Sequence, residues 1–190
     1  MGLLVWRFFQ IGTAQSLGTI VGNPSLVGKV YVPRYLIVLS NNLANLLGAA
    51  LEFIALLPLI VLLGVNLTAL ALFMPVILIL EFCLIVALSL ALSALNLKYR
   101  DFYQLWDIAL QLGFFLSPII YDPSLIPARY QFVYFLNPVT RLIDSTRDIF
   151  LLNHLPTLTD VVVILSAVGV LLATGSLIFR HFEPGFAEEI

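Results

Sequence analysis

The sequence predicts an all-α, polytopic membrane protein, and three observations carry that expectation. Residues 53 to 80, between Glu52 and Glu81, contain no Asp, Glu, Lys or Arg, whereas a hydrocarbon layer of about 30 Å asks for roughly 20 apolar residues and a soluble core helix for about 10 to 14. The 190-residue chain is 61% hydrophobic and only 11% charged, with a mean hydropathy of +1.06, more apolar surface than one core of this size can hide. No ten-residue stretches of alternating hydrophobicity suggest a barrel, so backbone groups in lipid must be bonded inside helices.

Charge and cysteine usage exclude several functions. A formal net charge of -2, with 9 basic residues scattered along the chain, leaves no cluster to neutralise phosphates and argues against nucleic-acid binding. Cys83 is the only cysteine, which rules out an internal disulfide and a cysteine metal site. His154 and His181 fall on opposite sides of the expected membrane, so no metal centre is expected. Met1 to Phe9 carry Arg7 but no small-residue cleavage site, unlike a signal peptide.

Charged and Pro/Gly clusters cut the chain into about five spans within a single transmembrane domain, residues 1 to 190: roughly 3 to 21, 36 to 63, 68 to 95, 102 to 121 and 159 to 179. The first, holding Arg7, Gln10 and Gln15, reads as a span that needs partners or the remnant of a longer one. Lys29 and Arg34, then Lys98 and Arg100, then Arg180 and His181 fall on one side, and the positive-inside rule makes that side cytoplasmic. Residues 122 to 158 are then external, their Arg129, Arg141 and Arg147 alternating with Asp122, Asp144 and Asp148.

That external region carries helix signals of its own. Asn137-Pro138 places a capping residue before a proline at the first helical position, and Val139, Leu142, Ile143, Thr146, Ile149 and Phe150 recur at helical spacing. The opposite face takes Arg141, Asp144, Ser145, Arg147 and Asp148. Pro127 starts another short helix through Tyr130, Phe132 and Tyr134. Following the Ser117-Pro118 break, the two predict a re-entrant hairpin shielded by protein or water.

Gly22 to Val30 reads GNPSLVGKV, near a phosphate-binding loop but with five residues between the glycines and Val30 where a hydroxyl belongs. A short amphipathic helix, with Asn23 as cap and Pro24 in its first turn, fits better: either a docking knob or a mere connector. Asn41, Asn45, Gly48 and Glu52 share one face of the second span, and Arg100, Gln104, Asp107 and Gln111 share one at the fourth. Each stripe lines a pathway or makes interhelical hydrogen bonds worth about 0.6 kcal/mol apiece. Glu81 stands apart and is expected to face the bundle. Ser166, Gly169, Ala173 and Ser176 form a small-residue packing face. Phe114, Phe115, Tyr121, Tyr130, Phe132, Tyr134 and Phe135 gather at the outer boundary as interfacial anchors or as surfaces that stack on sugar rings. Asn66-Leu67-Thr68 matches a glycosylation sequon too close to the membrane to weigh.

Asn23-Pro24-Ser25-Leu26 with Val32-Pro33-Arg34, Leu97-Lys98-Tyr99-Arg100-Asp101, Phe115-Leu116-Ser117-Pro118-Ile119-Ile120-Tyr121, Leu136-Asn137-Pro138 with Arg147, and the tail Glu183-Pro184-Gly185-Phe186-Ala187-Glu188-Glu189-Ile190 occur in one order along the chain. In these stretches the sequence resembles the permease subunit of type-2 ABC exporters, in the branch that moves polysaccharides and polyol phosphates such as O-antigen, capsule or teichoic acid. The resemblance implies a homodimer in a bacterial inner membrane that passes a lipid-linked glycan outward. It implies a separate ABC ATP-binding subunit holding ATP and magnesium, with no cofactor bound and no covalent chemistry in this chain. Asn23, Pro24, Ser25, Leu26, Val27, Lys29, Pro33 and Arg34 then form the ATPase-coupling loop. Asn41, Asn45, Glu52, Arg100, Gln104, Asp107 and Gln111 are pathway candidates, and Phe115, Ser117, Pro118, Tyr121, Tyr130, Tyr134, Asn137 and Pro138 outer-mouth candidates. Such permeases usually have six spans after an amphipathic interface helix, so the chain is expected to be truncated at its start relative to them. The alternatives are a drug or small-lipid exporter of the same superfamily, and a lipid-linked transferase or phosphatase using Arg141, Asp144, Arg147, Asp148 and His154.

Overall fold

A computed structural model describes residues 1–22, 33–64, 68–121, 123–183 and 186. Asn23 to Val32 of the coupling loop, the sequon residues Asn66 and Leu67, Asp122, and Pro184, Gly185 and Ala187 to Ile190 of the tail lie outside the described residues.

The described chain is helical, with no strand. Its helices are α1 (Gly2–Thr19), α2 (Tyr35–Leu62), α3 (Met74–Lys98) entered through a 3-10 turn at Ala69–Phe73, α4 (Phe102–Leu116), α5 (Ala128–Leu136), α6 (Pro138–Arg147) continued by a π turn at Asp148–Leu152, and α7 (Leu158–Phe182). Three are long and apolar enough to cross a membrane: α2, α3 with its entry turn, and α7. At 1.5 Å per residue, α1 reaches about 27 Å and α4 about 22 Å. The fourth expected span stops at Leu116 because the break at Ser117-Pro118 sends Ser117 into extended backbone.

Helix α1 is the strut around which the others gather. Val5, Trp6, Phe8, Phe9, Gly12, Thr13, Ser16 and Leu17 are all buried, so the segment that hydropathy ranks weakest is the one most wrapped by protein. Asn42 of α2 donates to the Ser16 hydroxyl at 3.0 Å, Asn96 of α3 to the Leu17 carbonyl at 2.9 Å, and the Trp106 indole of α4 to the Thr13 hydroxyl at 3.2 Å. Two glycines permit the close approaches: a Cβ on Gly12 would lie 2.7 Å from Ile85 of α3, and one on Gly113 of α4 would lie 2.8 Å from the Trp6 ring. Glu81 is fully buried on α3 against the Phe9 backbone, facing the bundle as expected.

The hairpin α5–α6 sits at the Met1 end of α1. Asn137 caps α6 by accepting from the Val139 N–H at 3.0 Å, and Pro138 occupies the first turn. Val139, Leu142, Ile143, Thr146, Ile149 and Phe150 are buried as their spacing predicts, with Ile143 3.1 Å from where a Gly2 Cβ would lie and Phe150 edge-on to Phe53 of α2 at 5.5 Å. Ser145 departs from the expected polar face: it lies 100° from Asp144 on the wheel and turns inward, fully covered. Thr157 and Asp160 close a capping box that starts α7, a T-x-x-D signature ahead of an apolar run.

The small-residue face of α7 does not pack within the described chain. Ser166, Gly169 and Ala173 are exposed, and nothing lies within 4 Å of a Cβ on Gly169. The close crossing of α7 on α3 runs instead through Gly175, whose Cβ would stand 2.4 Å from the Ala87 carbonyl oxygen, on the stripe Ile164, Val168, Leu171, Gly175 and Phe179. Gly175→Ala is therefore expected to destabilise the detergent-solubilised protein by about 1 to 3 kcal/mol through overpacking, despite alanine's better helix propensity. Gly169→Ala should be neutral or slightly stabilising. Thermal unfolding of the two variants side by side checks this, and equal melting points would contradict the crossing.

Candidate functional site: a polar groove and a charged outer hairpin

The pathway candidates on α2 face α1. Glu52 forms an ion pair with Arg7 of α1 at 3.3 Å, and the two side chains remain 40% and 62% exposed. Glu52 lies ten residues from the end of α2 at Leu62, about 15 Å along the helix, so the pair is deep in an apolar element. An Arg alone at such depth costs about 3 kcal/mol; pairing offsets part of that, and an aqueous or protein environment must supply the rest. Arg7, Phe8, Ile11, Asn45, Gly48 and Glu52 line a groove of about 100 Å³, room for several waters. The amide nitrogens of Asn41 and Asn45 have no hydrogen-bond partner among the described residues.

Helix α4 borders α1 on the other flank. Trp106, Leu110, Gly113 and Phe114 face α1, while Gln104, Asp107 and Gln111 are exposed on an adjacent face, Gln111 donating to Asp107 at 2.9 Å. Arg100 is exposed at the start of the same stripe. The outward strip of α1 between these flanks carries Arg7, Gln10 and Gln15. The sequence marks these three as a sign that the span needs partners, and in the structure they fall within one outward arc of about 140° on α1.

At the opposite end of α1 from Thr19, the hairpin, Ile120, Tyr121, Pro123 and the start of α7 line an open cavity of about 600 Å³ that holds Arg141, Asp144, Arg147, Asp148 and Asp160. Its arginines are engaged. Arg141 pairs with Asp160 and donates to the Phe135 carbonyl at 2.7 Å, its guanidinium 4.8 Å over the Phe135 ring. Arg147 donates to the carbonyls of Ile119 and Tyr121 at 3.2 and 3.3 Å and lies 3.8 Å from Asp144. These charges lock the hairpin to the break after α4 and to the start of α7. Of the outer-mouth candidates, Phe115 and Tyr130 are open, Tyr130 under the Arg129 guanidinium at 4.5 Å. Tyr121 and Tyr134 are half-buried and share a hydrogen bond, with Tyr134 edge-on to Phe135. Ser117 and Pro118 are buried at the break, and Asn137 and Pro138 start α6.

The family model of the ABC-2 type transporter matches residues 1–151. The chain belongs to that family. It is 29% identical over 196 residues to the O-antigen export system permease protein RfbA of Klebsiella pneumoniae, covering 98% of this chain and 72% of that protein. A second Klebsiella pneumoniae protein of the same name is 28% identical over the same shares. The RfbA permease of Myxococcus xanthus is 29% identical, covering 100% of this chain and 74% of the relative.

Burial pushes the Asp144 carboxyl up from 3.8 to about 6, Arg147 opposing this and Asp148 and Asp160 adding to it. Ionising Asp144 therefore costs folding free energy: the stability present below about pH 4 is lost as pH rises through about 6. Asp144→Asn removes that titration. It is expected to melt about 3 to 6 °C above the unsubstituted protein at pH 7.5, each kcal/mol being worth about 2–4 °C at this size, with the gap closing at pH 4. Melting curves across that range check the sign; a gap that widens toward acid contradicts it.

Proposed function

We propose that this ABC-2 permease is the membrane-spanning subunit of an ATP-driven exporter that moves a lipid-linked glycan across the bacterial inner membrane. The observation that carries the reading is the Arg7–Glu52 pair in its polar groove, flanked by the Gln104, Asp107 and Gln111 face of α4. Lipid cannot satisfy such groups, so a second copy, water or a hydroxyl-rich substrate must meet them. Two copies apposed along α1, α2 and α4 would enclose the groove between them. The glycan is suggested by the relatives named as O-antigen export permeases. Open aromatics such as Phe115 and Tyr130 would offer stacking surfaces at its exit.

The end holding Arg34 and Lys98 would face the cytoplasm. There the residues from Asn23 to Arg34 dock a separate ABC subunit, which holds ATP and magnesium. The chain itself performs no covalent step: Arg141 and Arg147, the cations a phosphate-handling enzyme would need free, are spent on Asp160 and on backbone carbonyls.

Two experiments test this. In a Cys83→Ala background, cysteines at Asn45 and Gln111 should react with a water-borne thiol reagent at least about tenfold faster than cysteines at Leu47 and Leu112, which point outward on the same helices; equal, slow reaction at all four would exclude a wet pathway. Leu26→Asp with Val27→Asp should abolish co-purification of the ATP-binding subunit while leaving membrane insertion intact. Wild-type stoichiometry in that double variant would make the loop a connector.

A further inference from the structure

We propose that Phe186 and the last turn of α7 form a clamp that ties Arg34, at the exit of the docking loop, to the last span, with Phe186 and Phe182 as its positioning residues; this rests on the reading of residues 23 to 34 as the docking loop. Phe186 lies beyond the end of α7 and is only 2% exposed. Its ring meets Phe179 edge-on at 5.4 Å, in one apolar cluster with Ile20, Ile37, Val38, Ala94 and Leu97. Ile20 caps the end of α1 shortly before the loop and Ile37 lies in the first turn of α2 just after it. Phe186 thus sits where both stems of the loop converge.

Two cations from two other helix ends meet rings here, one on Phe186 and one on the last residue of α7. The Arg34 guanidinium lies 5.6 Å over the Phe186 ring and its Nη1 donates to the Glu183 carbonyl at the end of α7, answering one of the carbonyls a helix end leaves unpaired and favourably placed against its dipole. Lys98, the last residue of α3, holds its ammonium 5.0 Å over the Phe182 ring. The last turn of α7 and the tail therefore grip the exit of the 23–34 loop and the entrance of the 99–101 connection together. A displacement of the docking loop is carried through Arg34 to α7, and through Gly175 to α3. Proximity alone is no demonstration of coupling, so the test reads coupling directly.

The permease is co-expressed with its ATP-binding subunit, and export per ATP hydrolysed is measured for Phe186→Leu and Phe182→Leu, which keep apolar volume but remove the ring face. Both should insert and retain the ATPase at wild-type stoichiometry. Export per ATP should fall about two- to fivefold in each, the factor that a cation–ring contact of about 0.5 to 1 kcal/mol represents. Phe186→Tyr, which keeps the ring, should restore it. An unchanged ratio in both leucine variants overturns the clamp, as does loss of ATPase binding in Phe186→Leu, which would make the residue a mere support for docking. Cysteines at Tyr35 and Glu183 in the Cys83→Ala background, which leave Arg34, Phe186 and the residue-183 carbonyl in place, should be joined by a short bifunctional thiol reagent without any ATPase present; failure there also overturns the clamp. A wild-type permease that captures no ATPase while this cross-link forms would fault the docking-loop reading instead.

Discussion

Lipid offers no hydrogen bonds, and that constraint decides where each polar side chain of this bundle can go. Helix α1 gathers most of the answers. Thr13 and Ser16 return their hydroxyl protons to the Phe9 and Gly12 carbonyls of the preceding turn, which leaves their oxygens free to accept from Trp106 and Asn42. Neighbouring helices are thereby fixed in depth against one strut. Each such bond contributes only about 0.6 kcal/mol, so their effect is on register more than on strength. Close packing through Gly12 and Gly113 supplies van der Waals contact that a larger residue would forbid.

The positions of the three helices long and apolar enough to cross a membrane were legible to within a few residues because bilayer thickness sets length and the chain marks its interruptions with charge, proline and glycine. The hairpin was legible for a different reason: Asn137-Pro138 is a local device, and the buried stripe from Val139 to Phe150 needs only helical periodicity to be seen. What escaped the sequence depends on partners far along the chain. Arg7 and Glu52 each stand out in the sequence, one in a span that needs partners and the other in a polar stripe, but their pairing appears only when the fold joins them across 45 positions. Asn42 is the sharpest case. It adjoins the Asn41–Asn45 stripe, but one residue is a 100° turn, and it points into the bundle at Ser16 rather than into the groove. The choice between Gly175 and Gly169 as the packing glycine is likewise invisible in a single helix, since both sit in stretches of small residues and only the neighbour selects one.

Charges at the two candidate regions behave differently, and the difference separates a closed lock from a half-open pair. Around the hairpin, Arg141 and Arg147 are mostly covered and spend their donors on Asp160 and on carbonyls that the break at Ser117-Pro118 would otherwise leave open. Removing either would strand buried acceptors, the behaviour of a structural lock. In the groove, Arg7 and Glu52 satisfy each other only partly and remain open to whatever fills the space beside them. Half-open charge at membrane depth stabilises no single chain; it requires an environment that the described residues do not provide.

Helix α1 also spans the distance between these functions. Its first turn rests on Ile143 of the hairpin, and its last residues meet Asn96 and the cluster around Phe186. Interhelical bonds at Thr13, Ser16 and Leu17 all lie in its half nearer Thr19, while the half toward the hairpin is held by apolar and aromatic contacts from Val5, Trp6, Phe8 and Phe9 together with the Arg7–Glu52 ion pair. Directional bonds resist sliding, whereas apolar faces tolerate small shear before contacts are lost. A displacement at the Thr19 end would therefore be passed to α2, α3 and α4 together.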